Sequence, residues 1–463
     1  MNTISNIKKT LWILGLLVSL STLACTTSQQ ADHSLTPVSK ITQPEWSKNA
    51  NIYEVNVRQY TPEGTFNAFA EHLPRLHEMG VDILWFMPIH PIGEINRKEN
   101  ENSMGSYYSV QDYKKVSSDY GTEEDFRALV AQAHELGMKV IIDWVPNHTA
   151  WDNPWTANKE WYVLNEEGSF IPPLGTDWTD VIQLDYSNQE MRAAMIEALK
   201  YWVQEFDIDG YRCDVAGKVP TDFWVEANAE LNEIKDVFML AEDGEPELLI
   251  EAFDMNYAWE YAHIIRQIAA GAMGFDRLDS LLAEDAKKFP ENSYRMYFTS
   301  NHDENSWNGT DIEMYGENFQ NFAVLSATID GMPLIYSGQE SVLDKQLLFF
   351  EKDEIEWKTY ELVPFYTALL DLKTRNEALW NGSHGANPKR IASPEGSYAY
   401  HRTKGDNAVF VGLNNTNQPL QISMPLSQGR EYKVLGQDQE AFVADAENII
   451  ELGAHSWVVF STH

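Results

Sequence analysis

Eight short apolar runs alternate with amphipathic stretches along most of this chain, and this alternation limits the folds it can adopt. The predicted strands are residues 52–57, 83–87, 140–145, 208–214, 237–240, 253–256, 294–299 and 334–336. The predicted helices are residues 67–79, 123–136, 190–206, 222–234, 257–270, 318–330 and 360–375. Strands that alternate with helices pair in parallel, and eight of them suit a closed (β/α)8 TIM barrel. A doubly wound open sheet is the alternative, but no glycine-rich phosphate loop follows the first strand to support it.

Two segments interrupt the alternation and define further domains. Residues 147–189, after the third strand, form a long connection that we interpret as an inserted domain of a barrel spanning residues 45–377. Beyond residue 378 the helical pattern stops. Short β-type runs follow at residues 398–402, 409–413, 420–424, 432–435, 448–452 and 457–460. This pattern predicts a C-terminal all-β sandwich over residues 378–463.

The first 25 residues have the features of an export signal. Lys8 and Lys9 precede an apolar run at residues 11–20 that is too short to span a bilayer as a mature helix. Ala24-Cys25 resembles the cleavage site of bacterial lipoproteins, in which the cysteine becomes the lipidated N-terminus. We therefore predict an exported protein of the cell envelope, lipidated at Cys25, with residues 26–44 as a flexible tether. A soluble secreted protein cut nearby is the alternative.

The charge balance excludes several classes of partner. The chain has 34 Lys and Arg against 70 Asp and Glu, a net charge of −36. Such a field repels nucleic acid and anionic lipid surfaces, so a neutral substrate is favoured and membrane contact is expected only through the lipid anchor. The sequence gives no indication of oligomeric state. Cys25 and Cys213 are the two cysteines, so a lipidated Cys25 leaves no intramolecular disulfide.

Polar side chains gather where the predicted strands end, which is where TIM-barrel enzymes place their chemistry. They are Asp143, Asn147 and His148 after the third strand, Arg212 and Asp214 after the fourth, Glu242 after the fifth, and His302 and Asp303 after the seventh. Hydrolysis of a glycosidic bond needs this inventory, since one carboxylate must attack, another must donate a proton, and polar groups must hold the ring.

Arg212 and Asp214 are two residues apart on a strand and therefore point to the same face. A nearby arginine lowers the pKa of a carboxylate, so we expect Asp214 to be kept ionised, as a nucleophile must be. A structural Arg-Asp pair is the other interpretation of these residues alone.

Four strings at these positions resemble the signature regions of the α-amylase superfamily, glycoside hydrolase family 13. They are DWVPNH at residues 143–148, GYRCD at 210–214, FMLAED around Glu242, and FTSNHD at 298–303. GMPLIYSGQE at 331–340 and GSYYSVQDY at 105–113 resemble further regions, and the resemblance covers roughly residues 51–463. It implies a retaining glycosidase that cleaves α-glucosidic bonds, mainly α-1,4 bonds, in starch-type glucans or maltooligosaccharides. A transglycosylase of the same family and a non-catalytic glycan-binding relative are the alternatives.

The resemblance also implies roles for individual residues. Asp214 matches the nucleophile, Glu242 the general acid/base, and Asp303 the third carboxylate, which binds sugar hydroxyls. Arg212 would orient and ionise the nucleophile. His148 and His302 would bind the sugar in the cleaved subsite, and Tyr108 would stack on its ring. For both histidines a purely structural role is the alternative.

Two departures from the family pattern concern the leaving side and the metal. Gly217 and Lys218 stand where many members have a Lys-His pair, and Gln183 stands where a calcium-binding Asp is common. We predict no metal-ligating residues and no obligatory cofactor, with calcium as an optional ion. The aromatic residues Trp151, Trp155, Trp161, Tyr162 and Trp178 suit either a local core or sugar stacking.

Overall fold

A computed structural model describes residues 37–98, 102–436 and 441–463. The predicted export signal, including Cys25, and most of the predicted tether lie outside the described residues. Within the described ranges, no helix has both the length and the apolar character needed to cross a membrane.

Eight parallel strands close into a barrel, as the alternating pattern predicts. The barrel strands are β1 (Ile52–Val55), β2 (Ile83–Phe86), β3 (Lys139–Trp144), β6 (Gly210–Cys213), β7 (Phe238–Ala241), β8 (Met255–Tyr257), β9 (Tyr294–Tyr297) and β10 (Met332–Tyr336). Their order around the barrel is β1-β10-β9-β8-β7-β6-β3-β2. Each predicted strand corresponds to one of these, so the TIM-barrel prediction is confirmed.

Apolar side chains fill the barrel interior, except near the carboxyl ends of the strands, where charged side chains lie. Buried side chains such as Ile83, Ile141 and Met255 form one core cluster inside the strands. Nearer the carboxyl ends, β3 and β6 pair in a register that sets Asp143 opposite Arg212. The strand pattern therefore places charged groups in one layer above an apolar floor.

Helices surround the barrel and pack apolar faces against it. They are α1 (Val57–Tyr60), α2 (Phe66–Ala70), α3 (Leu73–Met79), α4 (Glu123–Glu135), α5 (Gln189–Phe206), α6 (Thr221–Asn232), α7 (Leu248–Glu251), α8 (Trp259–Ala269), α9 (Phe275–Lys288), α10 (Asp311–Tyr315), α11 (Phe319–Thr328) and α12 (Val363–Arg375). Residues 67–79 form two helices, not the predicted one, because Pro74 would clash with the carbonyl of Ala70 in a continuous helix.

Helix α9 was not predicted from the sequence. Its buried residues are Phe275, Leu278 and Leu281, and most of its other positions are polar. Six of its fourteen residues are apolar, and Phe275, Leu278 and Leu281 recur at helical spacing, so the sequence carried a signal for this helix that the prediction overlooked.

The segment after β3 contains a short antiparallel hairpin of β4 (His148–Ala150) and β5 (Val181–Gln183). Its pairing places His148 beside Gln183 at the barrel mouth. Trp151, Trp155, Trp161 and Tyr162 pack against the main core, so these four belong to a local core.

The C-terminal strands form antiparallel sheets, as predicted. A six-stranded sheet has the order β11-β12-β13-β18-β15-β16, and β14 pairs with β17 in a second sheet. The bounds are β11 (Lys389–Ile391), β12 (Ser397–Lys404), β13 (Asn407–Asn414), β14 (Leu420–Ser423), β15 (Glu431–Val434), β16 (Ala441–Val443), β17 (Ile449–Leu452) and β18 (Ser456–Ser461). Both sheets contribute to one apolar cluster and so form a sandwich. The edge strands β11 and β16 were missed because each is three residues long and mostly exposed.

Candidate active site

A cavity of about 520 Å³ opens at the carboxyl ends of the barrel strands. Its walls include the six predicted residues Tyr108, His148, Asp214, Glu242, His302 and Asp303. The seventh, Arg212, is buried and contacts two of the lining carboxylates. The structure therefore brings together side chains that are up to 195 positions apart in the chain, from Tyr108 to Asp303.

Arg212 is the electrostatic centre of the site. Its Nη1 donates to Asp143 Oδ1 at 2.9 Å and to Asp214 Oδ1 at 3.2 Å, while Nη2 lies 3.1 Å from Glu242 Oε2. Its Nε donates to the Tyr257 hydroxyl at 3.0 Å. One buried guanidinium thus fixes three carboxylates, and the two predicted to do the chemistry share it.

The expectation that Arg212 keeps the pKa of Asp214 low needs a correction. Burial, followed by the neighbouring Glu242 carboxylate, raises the pKa of Asp214 well above its ordinary value, although Arg212 opposes this. Burial likewise raises the pKa of Asp143 to about 6 against the same arginine. One positive charge does not offset the burial of three carboxylates, so the pKa of Asp214 stays above its ordinary value.

The backbone directly after Asp214 is strained, and the strained residue makes a hydrogen bond to Glu242. Val215 has a φ of 38°, a left-handed conformation that a β-branched residue rarely adopts. In this conformation its backbone N–H donates to Glu242 Oε2 at 2.7 Å. The strained residue thus fixes the Glu242 carboxylate beside Asp214.

His302 is held from two sides by groups that leave it charged. Its Nδ1 lies 2.5 Å from Glu54 Oε1, and its Nε2 lies 2.7 Å from the Tyr108 hydroxyl. Burial lowers the pKa of His302, but the Asp303 and Glu54 carboxylates outweigh it and raise this pKa to about 9. His302 is therefore an imidazolium at neutral pH. Sequence reasoning missed Glu54, although a single carboxylate inside an apolar strand was an available signal.

His148 differs from His302 in charge. Burial and the nearby Lys218 ammonium lower the pKa of His148 to about 3, so its ring is neutral. The ring lies 5.4 Å from the Trp178 ring, which also lines the cavity. Of the aromatic residues in the insertion, Trp178 is therefore the one placed to meet a ligand.

The Asp243 carboxylate, next to Glu242, leaves no room for a side chain at Gly217. A Cβ added to Gly217 would lie 2.1 Å from Asp243 Oδ2, so a larger residue there would displace that carboxylate. Lys218 places its Nζ over the Trp178 ring, 4.6 Å from the centroid. A carboxylate and a cation-π pair thus occupy the region where the family pattern often has Lys-His.

Two side chains near the position of a family-type calcium site are engaged by other groups. The Gln183 side-chain oxygen accepts from the backbone N–H of Leu174 at 3.1 Å, and the Lys218 ammonium lies over the Trp178 ring. Across the described residues, no group of three or more Asp, Glu, His or Cys side chains is arranged to hold a metal ion. Calcium prefers six to eight oxygen ligands, and neither Gln183 nor Lys218 contributes a charged one.

A parallel barrel whose strand ends carry an arginine-linked carboxylate pair belongs to the class of (β/α)8 glycosidases. The family model described as the catalytic domain of α-amylase matches residues 45–170 and 158–386. These matches cover more than half of the chain, which therefore belongs to the α-amylase family.

Individual relatives agree with this assignment. The α-amylase MalA of Haloarcula japonica is 26% identical over 406 residues, which are 82% of this chain and 58% of that protein. The crystal structure of an α-amylase from Lactobacillus plantarum is similar with a TM-score of 0.80 and 31% identity, covering 90% of this chain and 99% of that one. A noncanonic maltogenic α-amylase, AmyB of Thermotoga neapolitana, has a TM-score of 0.79 and 29% identity over 90% and 99% of the two chains.

Proposed function

We propose that this protein is a retaining hydrolase of α-glucosidic bonds, mainly α-1,4 bonds, in maltooligosaccharides and starch-type glucans. The observation that carries the proposal is the Arg212 guanidinium, which holds Asp214 and Glu242 together at the cavity floor. Retaining enzymes need two closely spaced carboxyl groups. The relatives named for amylase activity support an α-glucan as the substrate.

The proposed mechanism uses the carboxylate pair in two steps. Glu242 gives its proton to the glycosidic oxygen while Asp214 attacks the anomeric carbon, so the bond to the leaving sugar breaks and a glycosyl ester forms. Glu242 then takes a proton from water, whose oxygen attacks the same carbon and releases Asp214.

The other cavity groups position the sugar in this proposal. His302, an imidazolium whose Nε2 bonds the Tyr108 hydroxyl, places a positive charge beside the sugar, and Asp303, about one third exposed, accepts from the ring hydroxyls. Tyr108 presents its ring at the cavity wall. A positive charge that develops on the ring in the transition state is stabilised by the ionised carboxylates around it.

Product analysis on maltoheptaose, pullulan and starch tests the function. We expect release of shorter maltooligosaccharides from maltoheptaose and soluble starch. Products longer than the substrate would assign the chain to transglycosylation, and no release of sugar from all three glucans would contradict the proposal.

We further propose that the chain is exported and anchored through a lipid on Cys25. Support comes from the basic and apolar N-terminal pattern that ends in Ala24-Cys25. The native protein should partition with membranes, whereas Cys25→Ser should appear in the soluble fraction, since a buried acyl chain supplies the membrane affinity. Mass spectrometry that finds no acyl group on a soluble native protein would contradict the anchor.

We also propose that calcium is not obligatory for folding or activity. Lys218 brings a cation to the region of the family-type site, and Gln183 replaces a charged ligand there. Activity and melting temperature should both survive exhaustive EDTA treatment. A large fall in melting temperature that calcium alone restores would contradict this proposal.

A further inference from the structure

A second cavity, of about 620 Å³, lies outside the barrel strands where α9 meets the C-terminal sandwich. Its walls come from α9, β9, the turn before β10 and the sandwich strands β11 and β12. Within the described part of the chain, it shares no lining residue with the active-site cavity. The cavity is large enough for a small molecule, and the proposed reaction makes no use of it.

Tyr297 lines the second cavity, and its hydroxyl has no hydrogen-bond partner among the residues that the structure describes. The residue ends β9 and is 3% exposed. Gly331 fixes the ring from the other side, because a Cβ added there would lie 2.5 Å from Tyr297 Cδ2. A buried hydroxyl without a partner costs free energy, which a ligand in the cavity can restore.

Carboxylates outnumber cations on the walls of the second cavity. The lining contains two guanidinium groups and four carboxylates, namely Arg295, Arg390, Asp279, Asp285, Glu291 and Asp330. Burial raises the pKa of Tyr297, Arg295 opposes this, and the Asp285 and Asp330 carboxylates raise it further. Both carboxylates therefore act on the Tyr297 hydroxyl at short range.

The two guanidinium groups are engaged and leave part of this negative charge uncompensated. Arg390 Nε lies 3.3 Å from Asp279 Oδ2, so these two groups match each other. Arg295 stacks over the Phe289 ring, 3.7 Å from its centroid, and its Nη2 is 4.0 Å from Asp285 Oδ2. Burial raises the pKa of Asp285 although Arg295 opposes this, so the Asp285 carboxylate lacks a full counter-charge. An added cation would supply it.

We propose that the second cavity binds an organic cation, a primary amine with a short apolar body, at Tyr297, Asp285 and Asp330. An ammonium group has three N–H donors, which suit two carboxylates and one hydroxyl oxygen. The apolar body packs on wall residues such as Leu282 and Pro388. A chain of net charge −36 also raises the local concentration of cations. The inference does not depend on the proposed glycosidase function.

Calorimetric titration with probes of equal length and different end groups tests the charge of the ligand. Cadaverine has an ammonium group at each end, 1,5-pentanediol a hydroxyl and glutarate a carboxylate. At physiological ionic strength, which screens attraction between exposed charges, cadaverine should bind and 1,5-pentanediol should bind at least about tenfold more weakly. Glutarate should not bind. Binding of 1,5-pentanediol, glutarate or maltotriose that is as tight as that of cadaverine would overturn the proposal.

Two variants test whether the amine lies in the second cavity. Asp285→Asn should raise the Kd of cadaverine about tenfold, and Tyr297→Phe, which keeps the ring, should raise it about fivefold. Glu284→Gln removes a mostly exposed carboxylate of the same helix that does not line the cavity, and it should leave the Kd unchanged. If Asp285→Asn folds poorly, Tyr297→Phe decides the test. An unchanged Kd in Tyr297→Phe would overturn the proposal.

Glu242→Gln separates the second cavity from the active site, whose carboxylates also attract amines. The Kd of cadaverine should be the same in this variant as in the wild type, because Glu242 does not line the second cavity. A Kd that rises in Glu242→Gln and not in Tyr297→Phe would assign the amine to the active site and overturn the proposal. So would a wild-type protein that binds no cadaverine, whether or not it cleaves α-glucans.

Discussion

Asp214→Asn should lower kcat on maltoheptaose by a factor of about 10⁴ and leave the protein at least as stable as the wild type. Activity is lost because an amide cannot form the glycosyl ester. Stability is kept because the raised pKa of Asp214 shows that its ionised form is disfavoured beside Glu242 in the folded protein. Steady-state kinetics and urea denaturation at pH 7 measure the two effects.

A matched control separates this effect from a general loss of charge. Asp222→Asn removes a mostly exposed carboxylate on α6 that pairs with Arg192, and it should leave kcat unchanged. An Asp214→Asn variant that keeps substantial activity would show that another residue is the nucleophile. An inactive variant that is also strongly destabilised would indicate a structural role for Asp214.

Arg212→Met should lower both activity and stability. The variant leaves three carboxylates without their shared guanidinium, and removing one partner of a buried ion pair costs about 3–5 kcal/mol. The same change raises the pKa of Asp214 further, which lowers the fraction of ionised nucleophile, and kcat should fall by about 10³. Urea denaturation and kinetics on maltoheptaose test both effects.

The loss of stability in Arg212→Met should depend on pH with a definite sign. In the wild type the pKa of Asp143 is already raised from 3.8 to about 6, so the folded state binds more protons than the unfolded chain between these values. The contribution of Asp143 to the free energy of unfolding therefore falls as pH rises through this range. Without Arg212 the pKa of Asp143 is higher still, so the fall continues above pH 6. The deficit relative to wild type should be smaller at pH 5 than at pH 8.

Arg212→Lys is the matched variant for this prediction. It keeps the positive charge but cannot bridge two carboxylates with one planar group, so it should recover part of the stability and little of the activity. A stability deficit in Arg212→Met that is equal at pH 5 and pH 8 would contradict the electrostatic explanation.

The barrel and much of the site could be predicted because both depend on local patterns. Alternating strands and helices imply parallel pairing, and parallel pairing collects the residues at strand ends on one face. For this reason Asp143, Asp214, Glu242 and Asp303 could be grouped from sequence positions alone. Pro74 also indicated a helix break. Apolar residues at helical spacing across residues 67–79 nevertheless led to the prediction of one continuous helix.

Properties that arise from non-local contacts could not be read in this way. The pKa of Asp214 depends on how many carboxylates share Arg212 and on their burial, and neither is visible along the chain. The strained φ of Val215 is imposed by the surrounding fold. Trp307 and Phe349 are 42 positions apart, and their ring contact depends on how the loops after β9 and β10 fold against each other.

The central claim is that Asp214 and Glu242 act as a retaining pair, and the anomeric form of the first product tests it most directly. Proton NMR can follow maltoheptaose cleavage within the first minutes, before the released sugar mutarotates. Two successive displacements at the anomeric carbon restore the original configuration. Our account predicts that the initial product is the α anomer. An initial β anomer would show a single displacement by water and would contradict it.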